Sequence, residues 1–544
     1  MHFSLKVFFT FADILTLMTF SQTFLKETIE QLVREENLSK NQIWHVVKRV
    51  SKKYGYSSVP NHIELLQACD IEERKKLEKH LKVKPVRNTS GVAIITVATK
   101  PMGCVSNCIF CPSASGVPKS YTGFEPAIQR AIRRKFNPAN QIQDRLNQYK
   151  LMGHISDFGS KFDVIVLGGT FLALQKDYKE EFIKGIYDGL NGFASENLES
   201  AKKSNETANN RCIGMTIETK PEYCKEKHVD EMLSYGITRV EIGVQSIYED
   251  VVKFAERDHT VQDSIEATRI ARDAGYKIVY HMMPGLPLSD FDRDLKMFKE
   301  IFSNPDFMPD DLKIYPVMVM PGTKLHRMWE KGDFAPMTNE QTLDMLVEIK
   351  KNIPPFVRIR RILRDFSALT VASGPKKSNI RELALQRLKQ KGLRCKCTRC
   401  REPNHAKKIY GIDVNPDFIS LVRRDYDAGN GKEIFLSFED TKNDVLIALL
   451  RLRIPSQNCH RKEIKNASVV REMHTYGSHV PINSLSNEFQ HRGFGKNLLI
   501  EAGKISSEEF DKKKIVVIAG TGVKEYFLKQ GFTYDGPYVS KCLN

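Results

Sequence analysis

No stretch of this 544-residue chain offers an uninterrupted apolar run long enough to cross a bilayer. The most apolar segment, residues 1–22, is broken by Lys6 and Asp13, and no small-residue cleavage site follows it. Met18 stands just ahead of an ordinary helix pattern, so translation is expected to start there, with residues 1–17 a spurious extension. Internal repeats and low-complexity tracts are absent too. Acidic residues are in deficit: 66 Asp and Glu face 83 Lys and Arg, a formal charge of +17. Such a balance suits a polyanionic partner, most plausibly nucleic acid. One further absence matters most. "KPMGCVSNCIFCPS" (100–113) holds Cys104, Cys108 and Cys111 but no fourth cysteine.

At 41% hydrophobic and 27% charged the chain reads as globular, and its length calls for two to four domains. Six of its eleven cysteines fall in two tight clusters, 104/108/111 and 395/397/400. Without a secretion signal, that spacing favours metal ligation in a reducing cytosol over disulfides, and a cytoplasmic location follows. Residues 18–90 show helical periodicity and the basic piece "VVKRVSKKYG", and are expected to form a small helical module whose basic face either contacts nucleic acid or is simply solvated. Residues 91–377 alternate apolar strand candidates with helices, which predicts a parallel sheet with crossover helices. Their polar residues fall at the carboxyl ends of the strands, where such barrels place their sites. Residues 378–410 form a basic connector with the second cysteine cluster. Residues 411–544 read as a second α/β domain.

Three thiolates can hold three irons of a four-iron cube and leave the fourth iron open to a small chelating molecule. A zinc site with an unseen fourth ligand is the alternative. "GGTF" (168–171) closes a buried strand, and its glycines let the backbone approach a ligand. Glu218, Glu241, Gln245 and His281 lie on the following strands as candidate ligand contacts, with ordinary barrel polar residues as the bland reading. "RCKCTRC" offers Cys395, Cys397 and Cys400 to a structural zinc ion, with His405 or a more distant histidine as fourth ligand; a second iron–sulfur cluster competes. In "QHRGFGKNLL", the segment Gln490, His491, Arg492, Gly493, Phe494, Gly495 and Lys496 has the Gln-x-x-Gly-x-Gly form of an anion nest opening a helix. Glu472 is a looser candidate for orienting a ligand.

The Cys-x3-Cys-x2-Cys loop resembles the radical S-adenosylmethionine (SAM) superfamily. The stretch holding Tyr526, Phe527 and Gly531-Phe532 resembles the GNAT-type N-acetyltransferase fold. Together with "PKSYTGFEP", "TIETKPEYC", "GITRVEIGVQSIYEDV", "HMMPGLP" and "FQHRGFGKNLL", the chain is similar, from about residue 20 onward, to the catalytic subunit family of the Elongator complex in its stand-alone archaeal form. The resemblance implies an α/β fold: a radical SAM partial TIM-type barrel, a C-terminal GNAT-fold domain and a small N-terminal helical domain. It implies a tRNA uridine(34) acetyltransferase, or carboxymethyluridine synthase, using a [4Fe-4S] cluster, SAM, acetyl-CoA, zinc and a reducing electron donor. Cys104, Cys108 and Cys111 would hold the cluster. Gly168, Gly169 and Thr170 would meet SAM. Lys119 and Tyr121 would lie in a loop shielding the CoA site until tRNA arrives. Residues 490–496 and 521–527, including Thr521, Tyr526 and Phe527, would hold CoA, with Tyr526 as general acid. A monomer or homodimer without obligate Elongator-type partner subunits is implied, and no membrane. Many relatives carry a longer gap between the first two cysteines, so the local loop geometry is expected to differ. A protein lysine acetyltransferase is the competing class, although plain acyl transfer needs no iron; a catalytically dead tRNA-binding scaffold is the third.

Overall fold

The computed structural model of the chain describes residues 20–35, 38–81, 91–152, 154–155, 160–477 and 493–543. The expected extension 1–17, and Gln490, His491 and Arg492, lie outside the described residues. Two compact units emerge, one drawn from residues up to 88 with 144–158, the other from the remainder.

In the first unit, helices Gln22–Arg34, Lys40–Lys53, His62–Ala68 and Ile71–Leu81 follow the sequence periodicity. Their starts are legible. Ser39 with Gln42, and Asn61 with Glu64, form reciprocal capping boxes that satisfy otherwise orphaned N–H groups. Phe24, Ile29, Leu32, Ile43, Val47 and Leu65 meet in one buried core. The opposite face of Lys40–Lys53 keeps Trp44 half exposed, with the Lys48 ammonium 4.5 Å from its ring centroid.

The second unit is built on two seven-stranded sheets. In the first, β1 (Val92–Ala98), β2 (Ser160–Leu167), β3 (Asn210–Thr219), β4 (Arg239–Gln245), β5 (Lys277–Met282), β6 (Asp311–Ile314) and β7 (Arg358–Ile362) pair in chain order, all parallel. The sheet is open, because β1 and β7 are its edges, yet both line the same cavity, so it curls. Burial of both faces explains the near-continuous apolar strands, β4 being buried at every residue.

The second sheet runs β13 (Thr533–Asp535), β14 (Tyr538–Cys542), β12 (Lys514–Val517), β11 (Ala467–Thr475), β10 (Val445–Ile454), β9 (Gly431–Asp440) and β8 (Ile419–Ala428). All pairs are antiparallel except β11 with β12. That parallel ladder stops at Val470 and Val517, while β11 continues to Thr475, so the two strands part company. The barrel and this sheet belong to one unit rather than to freely jointed domains. Their seam is ionic and buried. Both oxygens of Asp310 accept from Arg471 at 2.7 Å, Arg471 also donates to Glu433 at 2.6 Å, and Arg453 donates to Asp273 at 2.6 Å. Among the described residues, no helix is long and apolar enough to cross a membrane.

Candidate active site

The barrel residues singled out in the sequence converge. Cys104, Cys108 and Cys111 occupy the loop after β1. Gly168, Gly169 and Thr170 follow β2. Glu218 and His281 are the penultimate residues of β3 and β5, and Gln245 ends β4. All of them, with Glu241, Lys119 and Tyr121, line one cavity of about 600 Å³. Local backbone explains two of the choices. A side chain at Gly168 would collide with Thr99 Oγ1, and Gly169 takes φ +71°. Gln245 holds φ +65° without being glycine, a strained conformation of the kind that surrounding structure maintains at sites.

Around the cysteine loop the donors are cationic. Arg257 Nη1 donates to Cys108 Sγ at 3.6 Å and Nη2 to the Gly243 carbonyl at 2.6 Å. Lys220 bonds Ser106, between the first two cysteines. The Cys111 thiol donates to Ser120 Oγ at 3.4 Å, and burial pushes that thiol up. Thiolates around one zinc ion at ~2.3 Å would stand only ~3.8 Å apart. Among the described residues, the three-thiol group whose sulfurs lie within 4.8 Å of one another is Cys395, Cys397 and Cys400; Cys104, Cys108 and Cys111 are more widely set. A wide, soft, positively flanked triad fits a polynuclear iron–sulfur group better than a single ion.

Deeper in the cavity is a layer of paired charges. Glu218 and Glu241 are register partners on β3 and β4, as His281 and Lys313 are on β5 and β6. Ligand atoms of Glu218, Glu241 and His281 lie within 4.8 Å of one another. The cation there is the Lys313 ammonium, bonded to Glu241 and 3.7 Å from Glu218. His281 Nε2 lies 2.7 Å from Glu241 Oε2. Burial opposes ionisation of Glu241, but Lys313 and His281 outweigh it and hold the carboxyl well below the usual range. Burial, reinforced by Lys313, lowers His281 and keeps it neutral.

The loop after Cys111 covers this layer. Tyr121 donates to Glu218 at 3.0 Å, and Arg364 holds the Ser120 carbonyl at 2.6 Å and Ser120 Oγ at 3.1 Å. Lys119 and Tyr121 are thus placed at the barrel cavity. Sequence reasoning missed Lys313, Arg257, Tyr315 and Arg364. It also missed strand β7, whose "RIRRI" puts Arg358, Arg360 and Arg361 on the cavity wall. Nine Lys and Arg against four Asp and Glu line the cavity, which makes it a receptor for anions.

The remaining candidates lie elsewhere. Cys395, Cys397 and Cys400 are buried where Thr398 N–H donates to the Val357 carbonyl before β7 and Arg401 pairs with Glu439 and Asp444 of the second sheet. His405 does not join the thiols at ligand spacing; its Nε2 lies 3.6 Å from Glu402, and burial holds it down at about 3. Glu472 sits in the seam, bound by Lys277 at 2.5 Å and Arg451 at 2.9 Å, and is therefore a docking residue. In the second sheet, Gly493 takes φ +83° as N-cap of the helix Phe494–Lys504, and a Cβ on Gly495 would lie 3.7 Å from the Tyr526 hydroxyl. Three of the side chains singled out there are packed against protein. Phe527 is in the core beside Phe532, and Phe494 packs on Phe438 with ring centroids 4.9 Å apart. Thr521 is buried against Tyr187 of the barrel, with a 3.0 Å hydroxyl–hydroxyl hydrogen bond.

A curled parallel sheet with a three-cysteine loop after its first strand defines a radical SAM domain. The radical SAM superfamily model matches residues 101–298, the Radical_SAM C-terminal domain 309–390 and the ELP3 N-terminal domain 21–89. The chain is 44% identical over 529 residues to the tRNA uridine(34) acetyltransferase of Methanocaldococcus infernus, covering 95% of this chain and 98% of that one. It is 41% identical to human Elongator complex protein 3, covering 95% and 96%. The solved structure of the archaeal Methanocaldococcus infernus Elp3 with an N-terminal deletion superposes with a TM-score of 0.75 at 44% identity, covering 84% of this chain and all of that one. The chain therefore belongs to the family of Elongator complex protein 3 and the archaeal tRNA uridine(34) acetyltransferases.

Proposed function

We propose that this chain is a tRNA uridine(34) acetyltransferase acting as a carboxymethyluridine synthase. The observation that carries the reading is the single cationic cavity in which the Cys104/Cys108/Cys111 loop, the Gly168–Thr170 turn and the arginines of β7 face one another. When bound through the three cysteines, a [4Fe-4S] cluster with SAM supplies a 5′-deoxyadenosyl radical able to take hydrogen from an acetyl methyl group. The chain's own residues do the rest. Gly168 and Gly169 let backbone approach SAM. The arginines of β7 and Arg364 receive phosphates of an anticodon loop whose wobble base turns inward. Tyr121 and Ser120 close the cavity and exclude water while it is empty of RNA.

The second sheet suits acetyl-CoA and a GNAT-type fold. The β11–β12 ladder ends at Val470 and Val517, and an extended acyl arm would lie along β11 beyond that point. The Gly493 turn opens an 11-residue helix toward a pyrophosphate. Burial raises the Tyr526 hydroxyl, which keeps it protonated beside the Gly495 turn as a hydrogen-bond donor to bound acetyl-CoA. Cys395, Cys397 and Cys400 clamp zinc between barrel and sheet, and the basic helix Lys40–Lys53 holds tRNA. The enzyme works in the cytoplasm without obligate partner subunits and draws its electron from a separate reductant.

The test is anaerobic reconstitution of iron and sulfide, followed by incubation with SAM, reductant, acetyl-CoA and tRNA and nucleoside analysis. 5-Carboxymethyluridine at position 34 is expected. Protein loaded with four irons that cleaves SAM yet leaves uridine unchanged refutes the reading.

A further inference from the structure

Adding the acetyl carbon to uridine does not finish the proposed reaction. The product at that point is still a thioester, with CoA attached to the new carbonyl, and a water molecule must cleave it. The charged layer on the floor of the cavity has the parts for that step, and nothing above uses them.

His281 is neutral, and its Nε2 is tied to an ionised Glu241 at 2.7 Å. An ionised carboxylate accepts only, so the proton is on Nε2 and Nδ1 carries the lone pair. Among the described residues no protein atom bonds Nδ1, and it is not sealed away from solvent. His281 lines the cavity, with the Tyr315 ring set edge-on at 5.3 Å to fix its plane. Lys313 donates to the same Glu241 Oε2 and remains charged because Glu241 offsets its burial. With the lysine ammonium seated between the carboxylates, the triad Glu218, Glu241 and His281 already has its cation. The remaining chemistry of this group is that of a histidine base oriented by a buried carboxylate.

We propose that His281 is the general base that hydrolyses the CoA thioester of carboxymethyluridine, with Glu241 as its positioning residue. The inference rests on the carboxymethyluridine reading. Water adds through oxygen to the thioester carbonyl carbon and gives its proton to His281 Nδ1. The tetrahedral adduct collapses, the C–S bond breaks, and the departing thiolate takes that proton. Carboxylic acid and CoA thiol result, the acid then ionises, and no electrons are exchanged.

This half-reaction needs neither cluster nor SAM, so it can be tested on metal-free full-length protein. The probe is a synthetic anticodon stem–loop bearing 5-(carboxymethyl)uridine as its CoA thioester, with thiol release as readout. Unmodified protein is expected to release CoA, and His281→Asn to do so roughly a hundredfold more slowly at an unchanged melting temperature. Added imidazole is expected to restore much of the rate to His281→Ala, which a purely structural histidine would not allow. His281 is faced by Glu241 on β4, Lys313 on β6 and Glu218 on β3. Glu241→Gln removes a carboxylate that stabilises the imidazolium, so the acid limb of the pH–rate profile moves to lower pH. His281→Asn within threefold of the unmodified protein overturns the proposal, as does unmodified protein that cleaves the probe no faster than buffer. Either result spares the functional reading if cluster-loaded protein still makes carboxymethyluridine, whereas failure of that synthesis with intact probe cleavage strikes the reading and not the base. In cluster-loaded His281→Asn, the tRNA–CoA adduct should accumulate and be visible by mass.

Discussion

Asp310→Asn isolates the electrostatics that join the barrel to the second sheet. Asp310 is fully buried just before β6 and accepts two hydrogen bonds from Arg471 and one from the Ile278 N–H at 2.8 Å, with Arg451 Nη1 3.4 Å away. Asparagine keeps the volume and one acceptor but turns an NH2 toward a guanidinium and leaves Arg471 with one carboxylate, Glu433, beside the Tyr276 carbonyl. Breaking one partner of such a buried pair costs about 3–5 kcal/mol, far above the 0–1 kcal/mol of an exposed bridge. The pH dependence has a definite sign. Burial raises the Asp310 carboxyl, but Arg471 and Arg451 outweigh it and hold the group well below the ordinary range. A carboxylate depressed on folding stabilises above its unfolded pKa of ~3.9, and that contribution disappears only as pH falls through the folded value. The gap between the two proteins should therefore be flat from pH 8 to about pH 5 and narrow only in stronger acid. Urea unfolding of full-length protein, followed by near-ultraviolet circular dichroism at several pH values, measures it. A gap below ~0.5 kcal/mol at pH 7, or one that vanishes between pH 8 and 6, refutes the assignment of the seam to this pair.

Serine at Cys104, Cys108 or Cys111 should abolish bound iron and leave zinc untouched, whereas Cys400→Ser should remove zinc, lower the melting temperature and leave iron in place; elemental analysis of anaerobically prepared protein reads both. Tyr526→Phe should weaken acetyl-CoA binding about five- to tenfold, the worth of one hydrogen bond, measured by calorimetry. Reversing Lys48 and Lys52 on the basic N-terminal helix should weaken tRNA binding and reduce the slope of log affinity against log salt by about 1–2, measured by fluorescence anisotropy.

Strand β4 and the Cys-x3-Cys-x2-Cys loop were legible because their signals are local: an unbroken apolar run and a fixed spacing. The helix starts at Ser39 and Asn61 carry an equally local signal that was not singled out, the capping residues being three positions from their partners. Strand β7 was not legible, since its five residues include three arginines whose charges face a cavity that only the curled arc of seven strands creates. Lys313 and Arg364 were hidden for the same reason. Each looks like a solitary charge beside apolar residues, and its meaning depends on Glu241 or Ser120 arriving from 72 and 244 positions away. The seam residues Asp310 and Asp273 carry no spacing signal either, and Glu472 read as a ligand contact until Lys277 was found against it. The packing of Thr521 on Tyr187 and of Phe527 on Phe532 was equally hidden, because a motif-like neighbourhood carries no sign of a side-chain partner from a distant element.

Which part moves in the proposed reaction follows from comparing these contacts. The two sheets share buried ion pairs at Asp310 and Asp273, each costing about 3–5 kcal/mol to break. The loop over the cavity is latched by Tyr121 on Glu218 and by Arg364 on Ser120, neutral or singly charged hydrogen bonds worth about 0.5–3 kcal/mol each. An incoming polyanion competes directly for Arg364 and can displace Ser120 from it, while the Asp310–Arg471 and Asp273–Arg453 pairs are buried away from such competition. The loop therefore yields first, and the sheet that carries Tyr526 stays fixed on the barrel. Acetyl delivery then depends on the reach of the CoA arm and on loop opening, with no need for the second sheet to swing.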